Sequence, residues 1–315
     1  MSTRTYTTLT ASRRTRALSL VASRYSPLLN LPSELILGII QLALLECKPT
    51  QLAAISKGVK QLVDAIVYHT VVLDNPTIFL LFYRTVTSAK SAHLAGHVRN
   101  LIFTWTPYSF CSVKHLVSTC TSLRSLSLPS STAIDHVALN GEGPYEITIE
   151  SFDRPIDYLF SPHQTALCPP YAGVSKALTH LRICEPSDAW HSPNSILNSF
   201  GPLPNLTHLH LARQTNGNEE NDEVFVRELA SVLRSRPMLK LLIVSIYCRQ
   251  QWEPLSSVEE SNIWGLMRDL SASDARVLLL SGNYGEWRNE AQNTAACSSA
   301  ALPSIFWATA EGARL

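Results

Sequence analysis

Acidic residues are absent from the first 28 positions, and net charge is nearly absent from the chain as a whole. Its 315 residues carry 26 Lys and Arg against 25 Asp and Glu. The near balance removes any general case for nucleic-acid binding, because counterion release needs a basic face on the folded part. No Cys-x-x-Cys pair exists among the seven cysteines, at 47, 111, 120, 168, 184, 248 and 297. A zinc ribbon or redox dithiol is thereby disfavoured, and buried free thiols in a reducing compartment are expected. No apolar run reaches the roughly 18 residues that cross a bilayer, so no membrane partner is expected. Asn205-Leu-Thr207 matches a glycosylation acceptor, but no secretory-type leader accompanies it.

Complete nucleotide and nucleophile signatures are missing too. Gly141-x-Gly143 and Gly282-x-x-Gly285 lack the rest of a phosphate-binding fingerprint and read as turns. Gly173-Val-Ser175-Lys-Ala177 lacks the second glycine of a nucleophile elbow and precedes a strand, where an elbow follows one. The chain is therefore read as a non-enzyme, with no catalytic residue, cofactor or metal.

What the sequence does hold begins at Leu29. From Leu35 to Leu45 only Gly38 and Gln41 interrupt the apolar residues, and a helix apolar all round needs cover on more than one side. Pro32 suits the first turn, with Asn30 or Leu31 as the cap, and Glu34 complements the helix dipole. After Pro49-Thr50, Leu52, Ile55, Val59, Leu62 and Ile66 recur at helical spacing and predict a second helix. Thr70-Val71-Val72 reads as a strand. Residues 1–28 read as a disordered basic tail, whose Arg/Ser/Thr content also resembles a mitochondrial transit peptide.

Beyond residue 74 one pattern returns. Val98-Arg-Asn-Leu-Ile-Phe103, Leu123–Leu128, Leu178–Ile183, Leu206–Leu211, Leu239–Val244 and Ala275–Leu280 all fit L-x-x-L-x-L with conservative substitutions. Pro144–Ile149 is a weaker member. Several have a helical stretch before them, such as Val113–Cys120 and Val224–Ser235. A strand plus helix every twenty to forty residues marks a leucine-rich solenoid. The asparagine that usually follows the last leucine is missing, so an irregular stack is expected. Long loops are predicted at Asp153–Gly173 and Gln214–Glu223, with the acidic run Glu219–Glu223 a solvated loop. Ala295–Pro303 reads as a linker leading to Phe306-Trp307, which would cap the last repeat.

Leu31-Pro32-Ser33-Glu34-Leu35-Ile36, followed by Leu52-x-x-Ile55-Ser56-Lys57 and Tyr68–Asp74, resembles fungal F-box proteins that carry leucine-rich repeats. The resemblance covers 29–73 and implies a substrate receptor of a Skp–cullin–F-box ubiquitin ligase, cytoplasmic or nuclear. Leu31, Pro32, Leu35, Ile36, Ile39, Ile40, Ser56 and Lys57 would bind the Skp-type adaptor of the cullin-RING ligase. An unknown target protein would bind the repeats. Val59 departs from the family, which usually carries a bulky aromatic there, and a smaller side chain offers less apolar area. The implied fold is α/β: a small helical F-box-like module at 29–73, then an irregular leucine-rich-repeat-like solenoid at 74–315 with a parallel sheet on its concave face. The alternative is a non-catalytic repeat scaffold whose N-terminal helices only cap the solenoid.

Alternation along the strands predicts the exposed face. It would carry Asn100, Ile102, Ser125, Ser127, Glu146 and Thr148. It continues with His180 and Arg182, His208 and His210, then Leu241 and Ile243, and these last six are the candidate target-binding residues. Three neighbouring histidines could hold zinc, but Arg182 would repel the cation and no acidic partner is evident in sequence.

Overall fold

The computed structural model describes residues 27–106, 110–130, 145–152, 176–215, 217–248, 256–296 and 305–313. The chain divides into two compact units, residues 1–60 and 61–315.

In the first unit, a 3-10 turn (Pro27–Asn30) leads to α1 (Ser33–Glu46) and α2 (Pro49–Ala53). Pro32 occupies the cap position of α1, two residues after the predicted Asn30 and one after Leu31. The single second helix read from periodicity is in fact two. The chain turns at Ala54–Ser56, and α3 (Lys57–Val67) starts afresh. Ser56 causes the restart: its Oγ accepts the Val59 N–H at 3.2 Å, which caps a helix whose first donors lack partners. Gln51 reaches back to the Lys48 N–H in the same way at α2.

The second unit is one parallel sheet with helices against it. Among the described residues its eight strands are β1 (Thr70–Leu73), β2 (Asn100–Phe103), β3 (Ser125–Ser130), β4 (Tyr145–Ser151), β5 (Leu178–Glu185), β6 (His208–Gln214), β7 (Leu241–Tyr247) and β8 (Val277–Gly282). They lie side by side in chain order, each parallel to the next. Thr70–Leu73, assigned from sequence to the N-terminal module, pairs with Asn100–Phe103 as the first strand of this sheet.

Between strands run α4 (Pro76–Thr87), α5 (Phe110–Thr119), α6 (Pro193–Ser199), α7 (Glu219–Ser235), α8 (Ser256–Glu259) and α9 (Asn262–Ser273). Their starts follow local chemistry. The side chains of Asn75, Ser192, Asn218 and Ser261 accept N–H groups of the first turns of α4, α6, α7 and α9. The acidic run Glu219–Glu223 is thus the opening of α7 and not a loop, because carboxylates favour the positive end of a helix dipole. Leu101, Leu126, Ile147, Leu181, Leu209 and Leu242 face one side of the sheet. There they join Phe79 and Phe82 of α4, Leu116 of α5, Ile196 of α6, and Phe225 and Leu229 of α7 in one continuous core.

Hydroxyl and guanidinium groups tie the turns near the strand starts. Thr179 and Thr207 hydroxyls donate to the carbonyls of Tyr145 and Thr179. Arg236 donates to Leu203 O, and Arg276 to Leu233 O.

One strand departs from the alternation of the motif, in which the last two leucines, here Leu278 and Leu280, face the core. In β8 the core-facing residues are Val277 and Leu279, so Leu278 and Leu280 face the other way. Val277-Leu-Leu-Leu280 is apolar at both parities, and a one-residue shift exchanges the faces of a whole strand. At its end Gly282 is required by close approach: a Cβ there would run into the Tyr247 ring. Asp153–Gly173, most of the Ala295–Pro303 linker, and the Gly141 and Ser175 motifs lie outside the described residues.

Candidate functional site

Two surfaces carry candidate residues. The first is α1. Ile36 and Ile40 are buried, while Leu35 (56% exposed), Ile39 (43%), Leu42 (68%) and Leu45 are open to solvent, with Leu31 just ahead of the helix. Spacings of four and three residues put Leu35, Ile39 and Leu42 on one stripe. The sequence predicted an all-apolar helix with cover on more than one side, and one side is bare. Pro32 and Lys57 are exposed, and Ser56 is half-buried with its hydroxyl engaged in the cap. Val59 is buried to 2% exposure, so it is not presented to a partner at all.

The second surface is the sheet face away from the main core. Register builds it in rows. One row runs Asn100, Ser125, Glu146, His180, His208 and Leu241, and the next runs Ile102, Ser127, Thr148, Arg182, His210 and Ile243. These are the residues that alternation assigned to this face. They are not exposed, however. Arg182, His208, His210, Leu241 and Ile243 are all buried, and His180 is half-buried.

The cover is the chain's own C-terminus, helices α10 (Glu286–Ala296) and α11 (Ile305–Gly312). Phe306 and Trp307 do not merely cap the last repeat. Trp307 is fully buried and clusters with Leu241, Ile243 and Ala310, while its indole N–H donates to Glu146 Oε1 at 3.0 Å. Its ring centroid lies 5.4 Å from that of His180 and 5.5 Å from that of His208. The Arg182 guanidinium sits 3.5 Å from the Phe306 ring centre, a cation–π contact, and donates to Glu290 Oε2 of α10 at 2.5 Å. His208 Nε2 donates to Glu311 Oε1 at 2.9 Å. Trp287 of α10 packs with Ile102, Cys184 and Ala291.

This layer accounts for the histidines. His180 and His208 stack with centroids 4.2 Å apart and rings 9° from parallel, and His210 Nε2 pairs with Ser245 Oγ at 2.8 Å. The acidic partners invisible in the strand motifs come from the C-terminal helices. Among the described residues, no group of three His, Cys, Asp or Glu side chains is arranged to hold a metal ion. No helix among them is long and apolar enough to cross a membrane.

Burial, with help from the neighbouring His208, lowers the pKa of His180 from 6.5 to about 4. Burial and the Arg182 charge hold that of His210 well below the usual range. Both native histidines are therefore neutral where the unfolded chain already binds protons. Stability they contribute is complete above about pH 6.5 and is lost as pH falls toward about 4. The urea midpoint should fall between pH 7 and pH 5, and His180→Phe with His210→Gln should flatten the slope. An unchanged slope in the double variant would contradict this assignment.

A cavity of about 300 Å³ opens at the ends of β5 and β6, lined among others by Trp190, Arg213, Gln214, Asn218 and Phe225. Arg213 lines it together with Glu185 and Asp188, lies 4.4 Å from the Trp190 ring centre, and is held by Asp222 of α7 at 2.6 Å. Sequence reading missed this pair, since α7 was expected to begin after Asp222. Comparisons with protein-family models, with curated proteins and with solved structures find no match.

Proposed function

We propose that the protein is a non-catalytic, substrate-recognition adaptor of F-box type, with α1 to α3 docking a Skp-type adaptor and the leucine-rich-repeat-like sheet receiving a target protein. The reading rests on one observation above others. Leu35, Ile39, Leu42 and Leu45 form an apolar stripe that the folded chain leaves bare, and a stripe of this kind is how a helix anchors itself in a partner's groove. The Leu-Pro-Ser-Glu-Leu-Ile motif lies at its start, and a solenoid-like plan follows it. A receptor of this kind catalyses nothing. It raises the local concentration of its target beside a loaded conjugating enzyme, in the cytoplasm or nucleus. The scaffold alternative gives that stripe no role.

Titrating the full chain into labelled, purified Skp-type adaptor should give saturable one-to-one binding with a Kd near or below about 1 μM, about −8 kcal/mol. Absence of saturation a hundredfold above that concentration overturns the reading.

A further inference from the structure

The layer that buries the candidate target face is itself organised like a bound ligand. α11 presents Phe306, Trp307, Ala310 and Glu311 toward one strip of the sheet, and each has a matched receiver there. Glu146 takes the indole N–H, the stacked His180 and His208 rings border the indole together, Arg182 and His210 contact Phe306, Leu241 and Ile243 pack with Ala310, and His208 donates to Glu311. An aromatic anchor in a pocket with a few aimed polar groups is how recognition sites hold short helices.

The fit is incomplete. His180 Nε2, Arg182 Nε, His210 Nδ1 and Trp287 Nε1 are buried without a hydrogen-bond partner among the described residues. Burial without a partner disfavours the present state for each such atom. Arg182 and His210 lie in the same row, beside the Phe306 ring, so an occupant bringing an acceptor to that place would take the Arg182 Nε–H that α11 leaves without a partner.

We infer that this strip of β4 to β7 is a peptide-recognition channel, that α11 is its resident occupant, and that a target enters as a short helical segment carrying adjacent aromatics and carboxylates, displacing α11. This deepens the proposed target-binding role of the sheet and rests on it, but it does not involve the N-terminal helices. Its test contains no Skp-type adaptor, so failure here leaves the adaptor reading standing.

The probe is a labelled synthetic peptide with the sequence of residues 304–315. It should bind the full-length Phe306→Ala, Trp307→Ala variant at least about 30-fold more tightly than the parent chain, whose channel is occupied. A peptide lacking the tryptophan should lose about 30-fold, the loss typical of a buried tryptophan anchor. Equal binding to parent and variant, or none to a variant whose circular dichroism shows it folded, overturns the inference. Hydrogen exchange on the unaltered chain provides a reading independent of the variant's folding. Amides of α11 should exchange through local opening, faster than those of α7. Exchange of both only by global unfolding makes α11 a fixed layer and ends the proposal. Concentration-dependent dimerisation of the parent through exchanged C-terminal helices would assign the channel to a second copy, and it too overturns the target reading.

Discussion

Asp222→Ala is expected to lower the stability of the folded chain by about 3–5 kcal/mol, the usual effect of removing one partner from a buried ion pair. Asp222 is 2% exposed in the first turns of α7. Its Oδ1 accepts from both Nε and Nη2 of Arg213, at 3.0 and 2.6 Å. The pair joins the end of β6 to the start of the helix that follows it. Removing the carboxylate leaves a guanidinium beside Trp190 and Phe225 without its hydrogen-bonded counter-charge, and those rings supply only part of what a carboxylate does. Arg213→Met added to Asp222→Ala should recover much of the loss, because a pair replaced by apolar groups no longer leaves a stranded charge. Urea titrations of the two single variants and the double variant test this. A single variant within about 0.5 kcal/mol of the parent, the range of an ordinary surface change, would show that the pair is not buried in solution.

The second large effect is on binding and leaves stability alone. Leu35→Asp with Ile39→Asp should weaken Skp-type adaptor binding by about a thousandfold or more. Two apolar contacts, each worth about 1.5–3 kcal/mol when fully buried, are replaced by two carboxylates that the interface would have to desolvate. Both side chains already face solvent in the free chain, so the melting temperature should not fall. Met238→Asp places the same charge on another exposed apolar residue and should leave adaptor binding unchanged. Equal loss in both would indicate a general effect of added charge on solubility rather than a docking stripe.

Much of the sheet was legible in the sequence because alternation is a local signal. After their first leucine, Leu-Thr-His-Leu-Arg-Ile and Leu-Thr-His-Leu-His-Leu have one apolar parity each, so β5 and β6 could be placed and their faces assigned. β8 shows the limit of that rule. Val277–Leu280 is apolar at every position, and only the strand register decides which pair meets the core. The start of α7 was misplaced because five polar residues read as a loop, although Asn218 with carboxylates after it is a capping signal that could have located it.

The cover over the histidine strip was not legible at all. Trp307 reaches Glu146 across 161 positions, and no local pattern announces a contact at that distance. The face was correctly assigned while its exposure was not, since parity says which side a residue takes and nothing about what lies over it. At α1 the reverse holds. The apolar run was plain, but which side folding buries could not be read, and that division makes Leu35 and Ile39 candidates for docking.

The central claim is that the bare α1 stripe seats a Skp-type adaptor. Its most direct measurement is the mass of the full chain mixed with a purified Skp–cullin subcomplex, by light scattering on a sizing column. Co-elution at the summed mass of one copy of each protein is the predicted result, lost in the Leu35→Asp, Ile39→Asp variant. A parent chain that elutes apart from the subcomplex at its own mass would contradict the account.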